Sequence, residues 1–336
     1  MAIPDLVPQQ PSWRRAAIVA LMLTAAIPAR AAASTINCGD TLTAGAWLLE
    51  ADLVCPSDSG FGVGLTLASG ARLDLGGHSV AMSIAGSGVS LKLTGSGATV
   101  ENGVAKNAAR AILLSGGGGH HLRNLQVTGS NIGLFLDHSN GNDVTKSDLS
   151  GNAVFGVSSD TSDHNRYDEI VADDTSGIGP AAGILFASND NTITRSEVLR
   201  SQCTGIRLMD ASRNTISFNA VQDSFISIFK DKPSVDILVM GASSNNIVLK
   251  NQVSATATPA VTSDGINIGC KDECNCGIGG PGLSEPTTDA THNAVVGNTA
   301  NGELRYGIAQ ATGNPDNVYA ADEATGNGVA NFAIDL

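Results

Sequence analysis

GIRLMDASRNTISFNAVQDS, Gly205 to Ser224, follows GILFASNDNTITRSEVLRS, Gly183 to Ser201, and reads as a second copy of it. Both start Gly-Ile, pass further apolar positions, reach Asn-Thr-Ile and end on a short apolar–polar alternation. Taking that Asn as a marker, the pattern extends to Asn142, Asn165, Asn191, Asn214, Asn246 and Asn293, with His120 in the same slot one repeat earlier. The spacings are 22, 23, 26, 23, 32 and 47 residues, a period in the low twenties with insertions in the last two. Such a period is the mark of a solenoid.

Two residues after the marker stand Leu122, Val144, Tyr167, Ile193, Ile216, Val248 and Val295. Seven after it stand Val127, Leu149, Ala172, Val198, Val221, Val253 and Ala300. Each repeat is thus two or three short alternating segments divided by Gly, Asn, Ser or Asp. Alternation over a few residues predicts strands with one buried face. The expected fold is all-β: a right-handed parallel β-helix of roughly ten coils, with like residues stacked at about the 4.8 Å strand spacing. Gly and Asn are expected at the bends, because both tolerate positive φ, and an Asn above an Asn can hydrogen-bond along the stack. A thin core has little room for large side chains, in keeping with 4% aromatic residues and 39 glycines in 336 residues.

The N-terminus differs in kind. Trp13-Arg14-Arg15 precedes the apolar run Ala16 to Ile27 and the small-residue stretch Ala29 to Ser34. This predicts a secretory signal peptide over residues 1–33, whose apolar run is too short to span a bilayer comfortably. Residues 34–336 then form a single β-helix domain, with an N-terminal cap at about 36–60 and an inserted Cys-containing loop at about 270–290. The mature chain is expected to have no membrane span and to be secreted or periplasmic, where disulfides persist. Cys38 and Cys55 bracket a short segment and read as a bridge across the cap. Cys270, Cys274 and Cys276 fit a disulfide-tied loop, with Cys203 as one candidate partner, better than a zinc site.

The net charge of −13 argues against a nucleic-acid partner. No phosphate-binding loop or dinucleotide fingerprint is present, and no cofactor is expected. The histidines outside the adjacent His120-His121 form no set on neighbouring coils, and the side chains of that pair point to opposite faces of a strand, so no metal set is expected either.

The repeats resemble those of the pectate lyase-like superfamily of right-handed parallel β-helices. INCGDTLTAGAWLLEADLVC, Ile36 to Cys55, followed by GVGLTLASGARLDLGGHSV, resembles the entry segment of many secreted bacterial β-helix proteins. The resemblance covers roughly residues 36–320 and speaks to fold more than to function. Polygalacturonase-type motifs are missing: Asp173-Asp174 is the one paired Asp, with no G-H-G or R-I-K, and the D-P-H-E-type motif of alginate epimerases is absent. The resemblance implies three roles. One is an exported protein binding a glycan or a cell-surface partner without catalysis. Another is a polysaccharide lyase, epimerase or hydrolase. The third is a periplasmic metal-assembly factor.

Function in a solenoid must come from outward residues on neighbouring coils. Four after the marker stand Asn124, Lys146, Glu169, Arg195, Phe218 and Lys250; nine after it stand Gly151, Asp174, Arg200 and Asp223. Both columns alternate in charge. The charges either pair with one another or offer a ruled row to a linear sugar, and Lys146, Glu169, Arg195, Arg200 and Asp223 are the candidate substrate-binding residues. The Cys assignment yields a first prediction. Peptide mapping of the natively purified exported chain finds Cys38 bonded to Cys55, and Cys38→Ser lowers stability by roughly 3 kcal/mol, the model estimate for so short a closed loop. A free thiol at either position refutes the assignment.

Overall fold

The computed structural model describes residues 35–57, 62–175, 181–225, 234–256, 263–269, 290–311 and 316–334. The expected signal peptide and Cys270, Cys274 and Cys276 lie outside the described residues. Every described element is a strand, and every strand pairing is parallel. They form a right-handed parallel β-helix with three sheets. The first sheet has twelve strands, from Thr41–Leu42 to Ala330–Ile334; the second has thirteen and the third six, from Val171–Asp173 to Glu323–Thr325. The segment closed by Cys38 and Cys55 is itself the first coil: Thr41–Leu42, Gly45–Leu48 and Leu53–Cys55 each pair with a strand of the next coil. The disulfide is formed, with its Cα atoms 5.4 Å apart.

The inward columns follow the sequence register. Val144, Tyr167, Ile193, Ile216, Val248 and Val295 are direct partners along the second sheet. Ala172, Val198, Val221, Val253 and Ala300 are partners along the third. Ile184, Ile206, Ile237, Ile266 and Ile308 complete the stack from the first. All are buried in one continuous core. Each level excludes water without help from distant parts of the chain. Tyr167 and Phe186 stack within it at a ring-centroid distance of 5.2 Å.

The marker asparagines differ from expectation in one respect: they do not carry the positive φ themselves. The residue before each does, at His164 (φ 60), Asp190 (φ 59), Arg213 (φ 58), Asn245 (φ 57) and His292 (φ 57). That left-handed residue turns the chain and swings the marker side chain inward. There its Oδ1 accepts the backbone N–H of the preceding marker: Asn142 N–H to Asn165 at 2.9 Å, Asn165 to Asn191 at 2.8 Å, Asn191 to Asn214 at 2.8 Å, Asn214 to Asn246 at 2.8 Å and Asn246 to Asn293 at 2.9 Å. His120 starts the ladder by donating its N–H to Asn142, while its Nδ1 accepts the N–H of Ala98. Burial lowers its pKa to about 4, so it is neutral and can accept.

The motif recurs every five residues within a coil. Four after the marker the chain is left-handed again, at Asn124, Lys146, Glu169, Arg195, Phe218 and Lys250. The next residue enters a second ladder, in which Asn219 N–H donates to Asn251 at 3.0 Å and Asn251 to Asn298 at 2.9 Å. Nine after the marker comes a third left-handed residue, as at Gly151, Asp174, Arg200 and Asp223, followed by a third inward polar column.

This architecture places much of its polar satisfaction on single amides. Asn214 accepts from Asn191 and donates through Nδ2 to the carbonyl of Ser188 and to Asn246 Oδ1. Asn214→Ala leaves buried donors and acceptors unmade and should destabilise by roughly 3 kcal/mol. Urea unfolding measures it, and a change below about 1 kcal/mol would show that the ladder is incidental.

Candidate functional site

The charged columns do not lie on flat strand faces. They occupy two left-handed corners that border the third sheet. Lys146, Glu169 and Arg195 stack along the corner between the second and third sheets; Arg200 and Asp223 stack along the corner between the third and first. The structure therefore splits the five candidates into two rows.

Most of those charges satisfy one another. Arg195 pairs with Asp168 and, through Nε at 3.7 Å, with Glu169. Arg166 shares Asp168 and reaches Asp143 at 2.8 Å. Arg200 pairs with Asp173. The Asp223 carboxylate accepts both the N–H and the hydroxyl of Thr256 at 2.6 Å. Such exposed pairs contribute little to stability, but they hold side chains in place.

Toward the N-terminal coils the pairing thins out and the corner becomes concave. A groove of about 430 Å³ is lined by Gly77, Asn102, Gly103, Val104, Asn124, Leu125, Gln126, Lys146 and Asp148. Gly103 lets the backbone pack closely beneath it, since a Cβ there would fall 2.3 Å from Cβ of the buried Leu75. Asn124 Nδ2 donates to Asn102 Oδ1 at 2.9 Å, so the amides form a row on the outside as they do inside. A second depression of about 380 Å³ on the second sheet is lined by Arg72, Glu101, His121, Arg123 and Asp143, among others. Here Arg123 is already paired with Glu101.

Sequence reasoning missed a second feature: a buried acidic cluster. One residue before the inward Ile, the first sheet repeats glycine at Gly133, Gly156, Gly183, Gly205, Gly265 and Gly307. A Cβ at Gly205 would stand 2.3 Å from Val221 Cγ1 and 3.2 Å from Ser224 Oγ, so this column points into the corner of the core. At one coil the column holds Asp236, paired in register between Gly205 and Gly265. In the third inward column, otherwise Ser, Thr or Asn, one position holds Glu303. These two departures from the repeat meet: each carboxyl bears electrostatically on the other, and both are almost wholly buried. Burial raises Asp236 well above the carboxylate range, helped by the charge of Glu303. Burial likewise raises Glu303 to about 7, although Ser263 hydrogen-bonds its ionised form. The broken glycine column is the signal that would have found the pair. It was hidden because the marker spacing lengthens at these two coils.

On three adjacent strands of the first sheet, Thr204–Met209, Ser234–Met240 and Ser263–Ile268, both faces are buried. Val235, Leu238 and Met240 form a small apolar cluster on the outer face with Met209. Arg207 is buried in the same outward column, its guanidinium donating to Thr204 Oγ1 at 2.8 Å and Cys203 Sγ at 3.0 Å. Burial lowers its pKa to about 10. Cys203 is disulfide-bonded to a partner outside the described residues.

The comparisons with known proteins agree on the fold. The family model described as "Right handed beta helix region" matches residues 77–221. No curated protein matches by sequence. Among solved structures, the chain is similar to the Dettilon tailspike protein at 15% identity and TM-score 0.58, covering 88% of this chain and 61% of that one. It is similar to a Geobacillus virus E2 protein at 10% identity and TM-score 0.52, covering 86% and 54%. It is also similar to a double mutant of the periplasmic alginate epimerase AlgG at 10% identity and TM-score 0.55, covering 84% and 70%. The chain thus spans between half and two thirds of the two viral proteins. Identities this low speak to the coil alone.

The corner geometry yields a prediction. Lys146 has a φ of 50°, strained for a residue with a Cβ. Lys146→Gly should leave stability unchanged or raise it by up to about 1 kcal/mol, whereas Lys146→Val should lower it by roughly 1–2 kcal/mol. Equal unfolding midpoints for the two variants would place position 146 outside the left-handed region.

Proposed function

We propose that this chain is an exported, non-catalytic glycan-binding β-helix, and that the glycan lies along the corner between the second and third sheets. The observation that carries the reading is the groove at Asn102, Asn124, Gln126, Lys146 and Asp148. It carries amides, an ammonium and a carboxylate, is open at the surface, and is ruled by residues repeating once per coil. A glycan chain is itself a linear repeat of hydroxyls, and amides, an ammonium and a carboxylate offer both donors and acceptors to them. Glu169 and Arg195 continue the row along the same corner, while Arg200 and Asp223 border the third sheet on its far side. The epimerase on the same coil fits this reading, since its name gives it a polysaccharide.

Binding is favoured over bond cleavage by the position of the acids. The carboxyls with the most strongly raised pKa, Asp236 and Glu303, lie inside the coil and do not line the groove. The groove's own carboxylate, Asp148, has no partner acid among the lining residues, and cleavage of a glycosidic bond ordinarily uses two. Export rests on the N-terminal sequence and on the Cys38–Cys55 bond, which belongs to an oxidising compartment.

The test is a polysaccharide panel read for binding and for new reducing or unsaturated ends. Binding without new ends is expected. Combined alanine substitution of Asn124, Gln126 and Lys146 should weaken the best ligand roughly 30- to 200-fold, at about 1 kcal/mol per lost hydrogen bond. Alanine at Glu169, Arg195 and Arg200 should weaken it less. If the first triple variant binds as well as wild type while keeping its fold, the groove is not the site. Binding by no panel member overturns the glycan reading.

A further inference from the structure

We infer that Asp236 and Glu303 form a proton-carrying joint inside the coil, in which one carboxyl hydrogen stands where the neighbouring rungs use an amide hydrogen, so that the third corner loosens when that hydrogen is lost.

The geometry starts from a missing rung. The third inward column is laddered in part: Ser130 N–H donates to Asn152 Oδ1 at 3.2 Å and Glu303 N–H to Asn327 Oδ1 at 2.9 Å, while the hydroxyls of Thr175, Ser201 and Ser224 meet no partner among the described residues. The rung between Ser224 and Glu303 belongs by register to Thr256. That residue is exposed instead, with its hydroxyl spent on Asp223. Asp236 fills the gap from the glycine column: Ser224 N–H donates to Asp236 Oδ1 at 3.2 Å. The same substitution occurs once more. Asn331 also stands in the glycine column, opposite Gly307, and accepts both the N–H and the Nδ2–H of Asn327, at 3.3 and 3.1 Å. One coil therefore makes this closure with an amide and the other with an acid.

An ionised carboxylate can only accept. Where Asn331 and Asn327 share an amide hydrogen, Asp236 and Glu303 have none unless one is protonated. Each has a buried oxygen that meets no donor, Oδ2 of Asp236 and Oε1 of Glu303. A single proton between the carboxyls satisfies both, as in other close acid pairs.

The charged surroundings keep that proton on. Asp223, at the turn after Ala220–Gln222, and Asp264, on Ser263–Ile268, both bear on Glu303 and raise its affinity for hydrogen. The Arg305 guanidinium next to Glu303 is bound to the Asp264 carboxylate at 2.7 Å. Arg207, on Thr204–Met209, is turned to Thr204 and Cys203.

The direction with pH follows. A glutamate in the unfolded chain has a pKa near 4.5, and in the folded chain Glu303 holds its proton up to about 7. Between those values the folded state binds more protons than the unfolded one. Its stability therefore falls as pH rises through this window. Below the window the joint is fully formed. Above it, Glu303 is ionised and a net charge lies between the two carboxyls inside the coil.

The test is urea unfolding of the purified chain from pH 4.5 to 9. The wild-type midpoint should fall as pH rises toward 7. Asp236→Asn, for which Asn331 is the internal precedent, should remove most of that fall and exceed wild type at pH 8. Glu303→Gln should do the same. Glu323→Gln, at an exposed carboxyl, should keep the wild-type slope. Hydrogen exchange, corrected for intrinsic rates, should accelerate in wild-type peptides spanning 220–225 and 299–305 across the window, and should not in Asp236→Asn. A wild-type midpoint that does not fall overturns the inference, whatever the variants do. So does a variant that folds and keeps the wild-type slope. If one variant fails to fold, the other makes the same comparison.

Discussion

One hydrogen bond recurs through the molecule: a backbone N–H at a corner of one coil donates to a polar side chain that the next coil turns inward. A β-helix cannot be closed without such a bond. Sheets pair their own backbone groups, but at each corner the chain leaves the ladder and its N–H points into an apolar tube. An unpaired donor there costs a few kcal/mol, and the cost recurs at three corners of every coil. The inward Asn, Ser or Thr removes it and ties successive coils together. The left-handed residue before each rung is the means of aiming it. This is why the repeat resolves into five-residue steps: a left-handed residue, an inward polar one, then a strand of three with its middle residue in the core.

Much of this was legible. The marker asparagines and the aliphatics two and seven residues after them are fixed by burial, which leaves a strong periodic trace. The interval of five between those two columns already contained the sub-period. The left-handed residues were not legible, because their identities are unconstrained. Lys146, Arg195 and Phe218 share a backbone conformation with Gly151 and differ in every other property. Their φ is imposed by the rung that follows, not chosen by the residue. Reading them as outward rows followed from their charges and did not show that they sit on corners. The acid pair was illegible for another reason. Asp236 and Glu303 each look like a polar residue in a loop-rich stretch, and only their spatial register shows that they replace a glycine and an amide.

The outer surface follows a looser rule than the inner one. Inside, the marker amides have partners fixed by the coil. Outside, charges pair with the next coil when an opposite charge is available, as along Asp143, Arg166, Asp168 and Arg195. Each exposed pair contributes a few tenths of a kcal/mol, too little to specify register that the core already specifies. The groove is where charge pairing stops: Asn102 and Asn124 are joined by one amide hydrogen bond, and Gln126 and Lys146 stand beside them. Polar groups that are positioned by the coil yet not consumed by it cost little to bring to a ligand, because their backbone is already ordered.

The two closures of the third inward column, one by Asn331 and one by Asp236, separate what the fold needs from what it tolerates. The fold needs a short side chain in the glycine column that can accept one N–H. An amide meets that need at any ordinary pH. A carboxyl meets it only while the neighbouring carboxyl supplies a hydrogen, so the acid version makes the closure conditional on proton concentration. It also sits where the coil is least redundant. At this level Thr256 has left the interior, and the marker spacing has lengthened to 32 and then 47 residues. Elsewhere a lost hydrogen bond would be shared among stacked neighbours that remain in place. Here the two carboxyls stand beside the Ser234 hydroxyl, which donates to the Ser224 carbonyl, and the Ser263 hydroxyl, which accepts the Leu304 N–H, so a shared proton supplies one part of the strength of the corner.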